Sequence, residues 1–196
     1  MVAPIMLIAG FDAAYSRDGR LQAGAWAVWS SREERLVEWV GGRKTDPPPY
    51  IPGRFYLREC DLAVDLLPKL KTQPDLLLID GHGKAHPEGR GLACRIGEQA
   101  GLPAIGVAKE ILCGRAGTLE ARRGSMAPIA YEGRTVGMAV RTVAVVRPVF
   151  VSVGFHIGLD EAARWILTLS VHRIPEPLRE AHRLAGVVLR NEFAAH

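Results

Sequence analysis

Between positions 74 and 87 the chain reads PDLLLIDGHGKAHP, and few folds accommodate such a stretch. Leu76, Leu77, Leu78 and Ile79 form an unbroken apolar run of the length expected for a strand buried on both faces inside a mixed sheet. Asp80 ends the run, Gly81 and Gly83 follow with little side-chain bulk, and His86-Pro87 closes the loop. Open α/β sheets bind ligands beyond the carboxyl ends of such strands, so a carboxylate there points to a site. Asp-Gly alone also signals an ordinary turn. The neighbouring elements decide between the two.

The remaining elements arrange themselves around that strand. Residues 5–11 are an apolar strand reaching Asp12, and Asp18-Gly19 is a hairpin signal. Residues 21–29 and 35–40 alternate as second and third strands, so a three-stranded meander is predicted. Residues 41–53 read as irregular and contain PPPYIPG. Residues 55–67 have helical spacing, carry Glu59, and stop at Pro68. A short helix over 91–100 and a fifth strand over 103–108, ending at Lys109, complete a βββ-α-β-α-β order. Further strands are predicted over 129–131, 135–140, 142–146 and 148–153. Closing helices follow over 159–169 and 177–189, the second with Pro177 in its first turn. With no repeat, low-complexity tract or linker, one domain spanning 1–196 is expected.

Composition removes several function classes. Hydrophobic residues at 48% and charged residues at 23% exclude a disordered chain. No apolar run approaches the ~18 residues of a membrane span, and the apolar start lacks the basic leader of a signal peptide. Cys60, Cys94 and Cys113 are odd in number and lack CxxC spacing, which suits buried thiols in a reducing cytoplasm. The formal charge of +4 permits a nucleic-acid partner without requiring one. Arg115, Arg122, Arg123, Arg134, Arg141 and Arg147 cluster in sequence, and each is read as a solvated side chain.

Three acids occupy informative places: Asp12 on the first strand, Glu59 on the first long helix and Asp80 after the fourth strand. If those elements are neighbours the acids converge, and like charges ~4 Å apart repel by several kcal/mol at intermediate dielectric. A divalent cation relieves that repulsion. All-oxygen ligands suit Mg²⁺, with Mn²⁺ an alternative, and such ions serve phosphodiester hydrolysis. The same residues also read as three unrelated acids among 21. His82 and His86 have an i, i+4 spacing, but Pro87 and two glycines argue against a helical zinc pair there. His156, His172, His182 and His196 are read as structural or surface groups.

With the acids in this order the chain resembles the ribonuclease H-like fold: a central mixed five-stranded sheet flanked by helices, with extra C-terminal strands and helices. PYIPG (50–53 with Pro49), LRE (57–59), DGHGKAHP (80–87) and GVAK (106–109) are similar to motifs of the endonuclease V family. RTVAVVRPVFVSVG (141–154) and RIPEPLREAHRLA (173–185) are similar to its closing third, so the match runs from about 10 to 185. The resemblance implies that Asp12, Glu59 and Asp80 hold the catalytic metal, and that His86 and Lys109 act at the scissile phosphate. It implies that Tyr50 begins a wedge in which Ile51 and Pro52 fill the gap left by an extracted nucleotide, with Gly53 completing the motif. It further implies that Gly81 and Gly83 line the pocket for flipped hypoxanthine. The expected activity is cleavage of inosine-containing DNA, with RNA a variant, at the second phosphodiester bond 3′ to the lesion, by a monomeric cytoplasmic repair enzyme.

Apolar wedges and extracted bases are physically consistent, since unstacking a mismatched base costs only a few kcal/mol. Departures from the family pattern fall on the substrate side. Glu88 and Gly89 stand where the family has arginine, with Arg90 nearby to compensate. Glu110 replaces a small hydroxyl residue, Phe155-His156 a His-Arg pair, and His182 an aspartate. They keep open a nuclease of the same fold directed at another lesion or a branched substrate. A non-catalytic inosine-binding protein is a further alternative.

Overall fold

Strand β1 (Leu7–Tyr15) starts the sheet, in a computed structural model that describes residues 6–49, 51 and 56–190. It pairs antiparallel with β2 (Leu21–Ser30), which pairs antiparallel with β3 (Arg35–Thr45). On its other side β1 runs parallel to β4 (Leu76–Asp80), and β4 parallel to β5 (Ala104–Ala108). Parallel neighbours need crossovers, here made by α1 (Tyr56–Leu66) and α2 (Leu92–Ala100).

The later strands do not form a separate unit. The two-residue β6 (Arg115–Ala116), β7 (Met126–Tyr131), β8 (Arg134–Val140) and β9 (Val149–Phe155) join the same sheet because β9 pairs antiparallel with β5. The expected five-stranded central sheet is thus extended by the later strands to nine, in the order β3-β2-β1-β4-β5-β9-β8-β7-β6. Helices α3 (Leu159–Thr168) and α4 (Glu176–Arg190) follow.

Side-chain alternation divides the core into two layers. Ala9, Phe11, Trp26, Leu77 and Ile79 pack against Leu62, Ala63, Leu66, Leu92 and Ile96 of α1 and α2. The Trp26 indole Nε1 also donates to the Ala63 carbonyl at 2.8 Å, so α1 is tied to the sheet by a polar bond inside an apolar layer. On the opposite face Ile8, Leu76, Leu78, Ile105 and Val107 meet Ala162, Ala163 and Ile166 of α3 and Leu178 of α4. Each such fully buried large aliphatic side chain contributes roughly 1.5–3 kcal/mol. Ala25 and Ala27 let α4 come close through Ala181, Leu184 and Ala185. Gly10 makes that approach possible, because a Cβ there would sit 2.3 Å from the Pro177 carbonyl oxygen.

Two sequence expectations need correction. The third strand does not stop at 40: it continues to Thr45, because β2 extends to Leu21 and the two strands pair from Leu21↔Thr45 onward. Residues 142–146 are not a strand. Val145 has φ 56°, which no strand tolerates, and its N–H bonds the Ala121 carbonyl at 2.8 Å. Buried Thr142 points its hydroxyl at the Arg173 carbonyl, 2.8 Å away. Arg123 and Arg141 are likewise engaged with main chain. Arg123 donates to the carbonyls of Thr142 (2.9 Å), Leu167 (2.9 Å) and Ser170 (3.1 Å), and Arg141 to those of Glu120 (2.6 Å) and Val146.

Candidate active site

Strand parity gathers most of the expected residues. Asp12 has the parity of Ile8 on β1, and Asp80 that of Leu76 and Leu78 on β4. Lys109, one residue beyond β5, continues the parity of Ile105 and Val107. All three belong to the face covered by α3 and α4. Glu59 comes from α1 on the other face. The four side chains nevertheless line one pocket of about 520 Å³ at the carboxyl ends of β4 and β5, with Gly81 and His86.

Each carboxylate has a protein partner. Asp80 Oδ2 lies 2.5 Å from Lys109 Nζ. Asp12 Oδ1 accepts the Ala13 N–H at 2.7 Å, and its Oδ2 lies 2.7 Å from His182 Nδ1. Glu59 Oε1 accepts the Tyr15 hydroxyl at 2.9 Å. Tyr15 is in turn held by the Gln22 side-chain amide at 3.2 Å, with the Arg58 guanidinium 4.1 Å from its ring centre. His86 is buried, and its Nδ1 accepts the Glu88 N–H at 3.1 Å, which leaves the proton of a neutral ring on Nε2.

The acids sense one another. Burial, and after it the charge of Asp80, raises Asp12 to about 6 against the opposing effects of Lys109 and His182. Burial pushes Glu59 up to about 8; the Tyr15 hydrogen bond opposes this, and the charges of Asp12 and Asp80 add to it. Burial and then Glu59 hold the Tyr15 phenol far above its ordinary value, so it stays a neutral donor. Burial works to lower Lys109, but Asp80 and Asp12 outweigh it and keep the ammonium charged. His82, also on the pocket wall, is lowered to about 4 by burial and by the neighbouring His86, so it is a neutral ring at physiological pH.

Among the described residues, no three His, Cys, Asp or Glu side chains stand in ready-made ion geometry. The reason is visible in the partners: Lys109 draws Asp80 and Tyr15 draws Glu59. The donor set still fits a hard divalent cation. It offers carboxylate oxygens around one cavity, and a bound cation would relieve their mutual repulsion.

Several sequence readings change here. His182, read as a structural or surface group, has a side chain 70% exposed yet contacts Asp12 in the pocket. Tyr15 has no motif of its own to mark it in the sequence. It lies three residues after Asp12 on β1, hence on the α1 face where Glu59 arrives. Gly83 does not line the pocket: its N–H donates to the buried Ser152 hydroxyl at 2.8 Å, and a Cβ would meet the Val153 carbonyl at 2.1 Å. That glycine seats the loop under β9. Tyr50, Pro52 and Gly53 lie outside the described residues, and Ile51 is 40% exposed.

At the rim, Glu88 is anchored rather than loose. Its carboxylate lies 3.4 Å from the Tyr56 hydroxyl and 3.6 Å from Arg95, whose guanidinium sits 3.7 Å from the Tyr56 ring centre. Arg90, expected to compensate for Glu88, pairs with Glu98 instead. Glu110 pairs with Arg147 at 3.1 Å, and Phe155 and His156 stack with ring centres 3.8 Å apart.

A mixed sheet of this order, with acids on β1, on the first crossover helix and at the end of β4, is the ribonuclease H-like arrangement. The chain belongs to the Endonuclease V family, whose model matches residues 1–183. Endonuclease V of Roseiflexus castenholzii is 39% identical over 184 residues, covering 93% of this chain and 82% of that protein. The crystal structure of Endonuclease V from Streptomyces avermitilis superposes with a TM-score of 0.90 at 36% identity, over 96% of this chain and 83% of that one. Endonuclease V of Ciona intestinalis, crystallised with a 24mer DNA containing an inosine followed by a ribo-adenosine, shares the fold. Its TM-score is 0.83 at 23% identity, over 98% of this chain and 89% of that one.

Proposed function

We propose that this endonuclease nicks nucleic acid at inosine in a divalent-cation-dependent reaction, at the second phosphodiester bond 3′ to the lesion, leaving 3′-OH and 5′-phosphate ends. Hypoxanthine in DNA is the preferred substrate, inosine in RNA a second one, and Mg²⁺ the working ion. The single observation carrying the reading is that Asp12, Glu59 and Asp80 border one pocket with Lys109 beside Asp80, where burial first and the charge of Asp80 after it raise Asp12 and Glu59. Family membership supports it, and so does the inosine-containing DNA bound by the Ciona protein.

A cation held by the three acids would neutralise their charge and lower the pKa of attacking water. The chain's own groups do the rest. The Lys109 ammonium, charged and within a side chain's swing of the acids, offers a counter-charge to the phosphate. His86, buried at the pocket wall, has its Nδ1 taken by the Glu88 N–H. His182 and the Ala13 N–H fix both oxygens of Asp12, and Tyr15 fixes Glu59. The wedge from Tyr50 to Gly53 and the backbone at Gly81 hold the gap and the extracted base. The chain works as one monomeric domain over 1–196 in the cytoplasm; among the described residues no helix is long and apolar enough to cross a membrane.

The anchored Glu88 favours a second reading, a nuclease of this family with a shifted lesion or junction preference, since it puts a carboxylate at the rim. The test is nicking of matched oligonucleotides carrying inosine, uracil, an abasic site or a branch, as DNA and as RNA, with and without Mg²⁺. Inosine-selective, Mg²⁺-dependent nicking is expected. Nicking that prefers another substrate supports the second reading, and retention of inosine DNA without any cut defeats both.

A further inference from the structure

Arg173 sits in the connection between α3 and α4, outside the pocket lining, yet its guanidinium grips three main-chain carbonyls. Nη2 donates to Lys109 O at 2.9 Å and to Pro148 O at 3.0 Å, and Nε donates to Arg147 O at 3.0 Å. The Arg173 carbonyl accepts the hydroxyl of Thr142, which is fully buried.

What is gripped matters. The β5–β9 ladder ends at Ala108↔Phe150, so Lys109 is the first residue the sheet no longer holds. Its side chain reaches Asp80 on the neighbouring strand. The next residue, Glu110, pairs with the side chain of Arg147, and Arg173 holds Arg147's carbonyl as well. Two successive residues at the mouth of the pocket are therefore referenced to the start of β9 through one side chain. A lysine could not do this, because only a guanidinium presents several donors in a fixed planar fork.

We propose that Arg173 is a positioning residue for Lys109, fixing the backbone from which the ammonium reaches Asp80 and, in the nuclease reading given above, the phosphate. The catalytic consequence rests on that reading; the positioning itself does not. Arg123 is the built-in control. It too holds three carbonyls, those of Thr142, Leu167 and Ser170, in the same group of loops, and none belongs to the pocket.

Arg173→Lys and Arg123→Lys are each made in the wild-type and Lys109→Ala backgrounds. Three quantities are read: amide hydrogen exchange over 109–113, single-turnover nicking of inosine DNA in Mg²⁺, and affinity for that DNA in Ca²⁺. Arg173→Lys should speed exchange over 109–113 and slow nicking about tenfold, with affinity held within about twofold. In Lys109→Ala it should cost no more than about twofold further, because the two residues act as a unit. Arg123→Lys should leave both exchange over 109–113 and nicking near wild type. Unchanged exchange in Arg173→Lys, an equal loss of rate with and without Lys109, or an equal loss in Arg123→Lys each overturns the proposal. If the wild-type chain fails to nick, the nuclease reading falls and exchange alone decides the positioning. Should Arg173→Lys not fold, Thr142→Val, which releases only the Arg173 carbonyl, is read by the same exchange criterion.

Discussion

Asp12, Glu59 and Asp80 crowd three carboxyl groups into one pocket, where the Lys109 ammonium meets Asp80, His182 contacts Asp12 and the neutral Tyr15 holds Glu59. In the loops behind β9, Arg123, Arg141 and Arg173 do the reverse, spending positive charge on neutral main-chain carbonyls. A carbonyl satisfies donors without cancelling charge, so those arginines stiffen the loops and leave their field intact. Residues 111–174 hold eight arginines and four acids, a surplus equal to the formal +4 of the whole chain. One region can be neutralised by a small cation. The other suits a polyanion.

The largest effect should come from the acidic side. Asp80→Ala is expected to lower nicking by roughly 10³-fold, while affinity for inosine DNA in Ca²⁺ stays within a few-fold. Comparable losses of both would mean that the acids bind rather than cut. Next is pH. Asp12 at about 6 and Glu59 at about 8 lie above their unfolded values of roughly 3.9 and 4.3. The folded state therefore holds these protons more tightly, and that contribution is complete below about pH 4 and lost as pH climbs through 6 and 8. The melting temperature of EDTA-treated protein should fall from pH 5 to pH 8.5, Mg²⁺ should recover it most at the alkaline end, and Glu59→Gln should flatten the slope.

Smaller effects sharpen the arginine side of the contrast. Glu88→Gln removes a rim carboxylate and should tighten binding about threefold at low ionic strength, an advantage that fades with added salt. Weaker binding would show that Glu88 serves chiefly to hold Arg95 and Tyr56. Val145, 82% exposed at φ 56°, stores strain in a β-branched residue. Val145→Gly should stabilise the protein by about 1 kcal/mol in urea denaturation and leave nicking unchanged.

The apolar runs at 76–79 and 104–108 made the central strands legible, because a strand buried on both faces needs nothing else to declare itself. Asp80 and Lys109 stand out in the sequence at or just beyond the ends of those strands, and Asp12 on β1 and Glu59 on α1 share their pocket. What stayed hidden depends on distant partners. TVAVV at 142–146 has the composition of a strand, but Thr142 and Val145 bond residues 31 and 24 positions away in sequence, and those bonds bend the segment. The pairing of β9 with β5 spans a long excursion that no local periodicity records. His182 stands out in the sequence only as a replacement for an aspartate, and its contact with Asp12, 170 positions away, leaves no local signal. Only the close seating of α4 over Gly10 brings it to Asp12.

The two outer rims of the sheet carry a final consequence. One rim is β3, studded with Arg35, Glu38, Arg43 and Lys44; the other is β6, only two residues long and beginning with an arginine. A charged rim and a stub both make poor templates for strand addition from a second molecule. A nine-stranded sheet with plain borders would invite polymerisation from either side, and here the borders themselves oppose it.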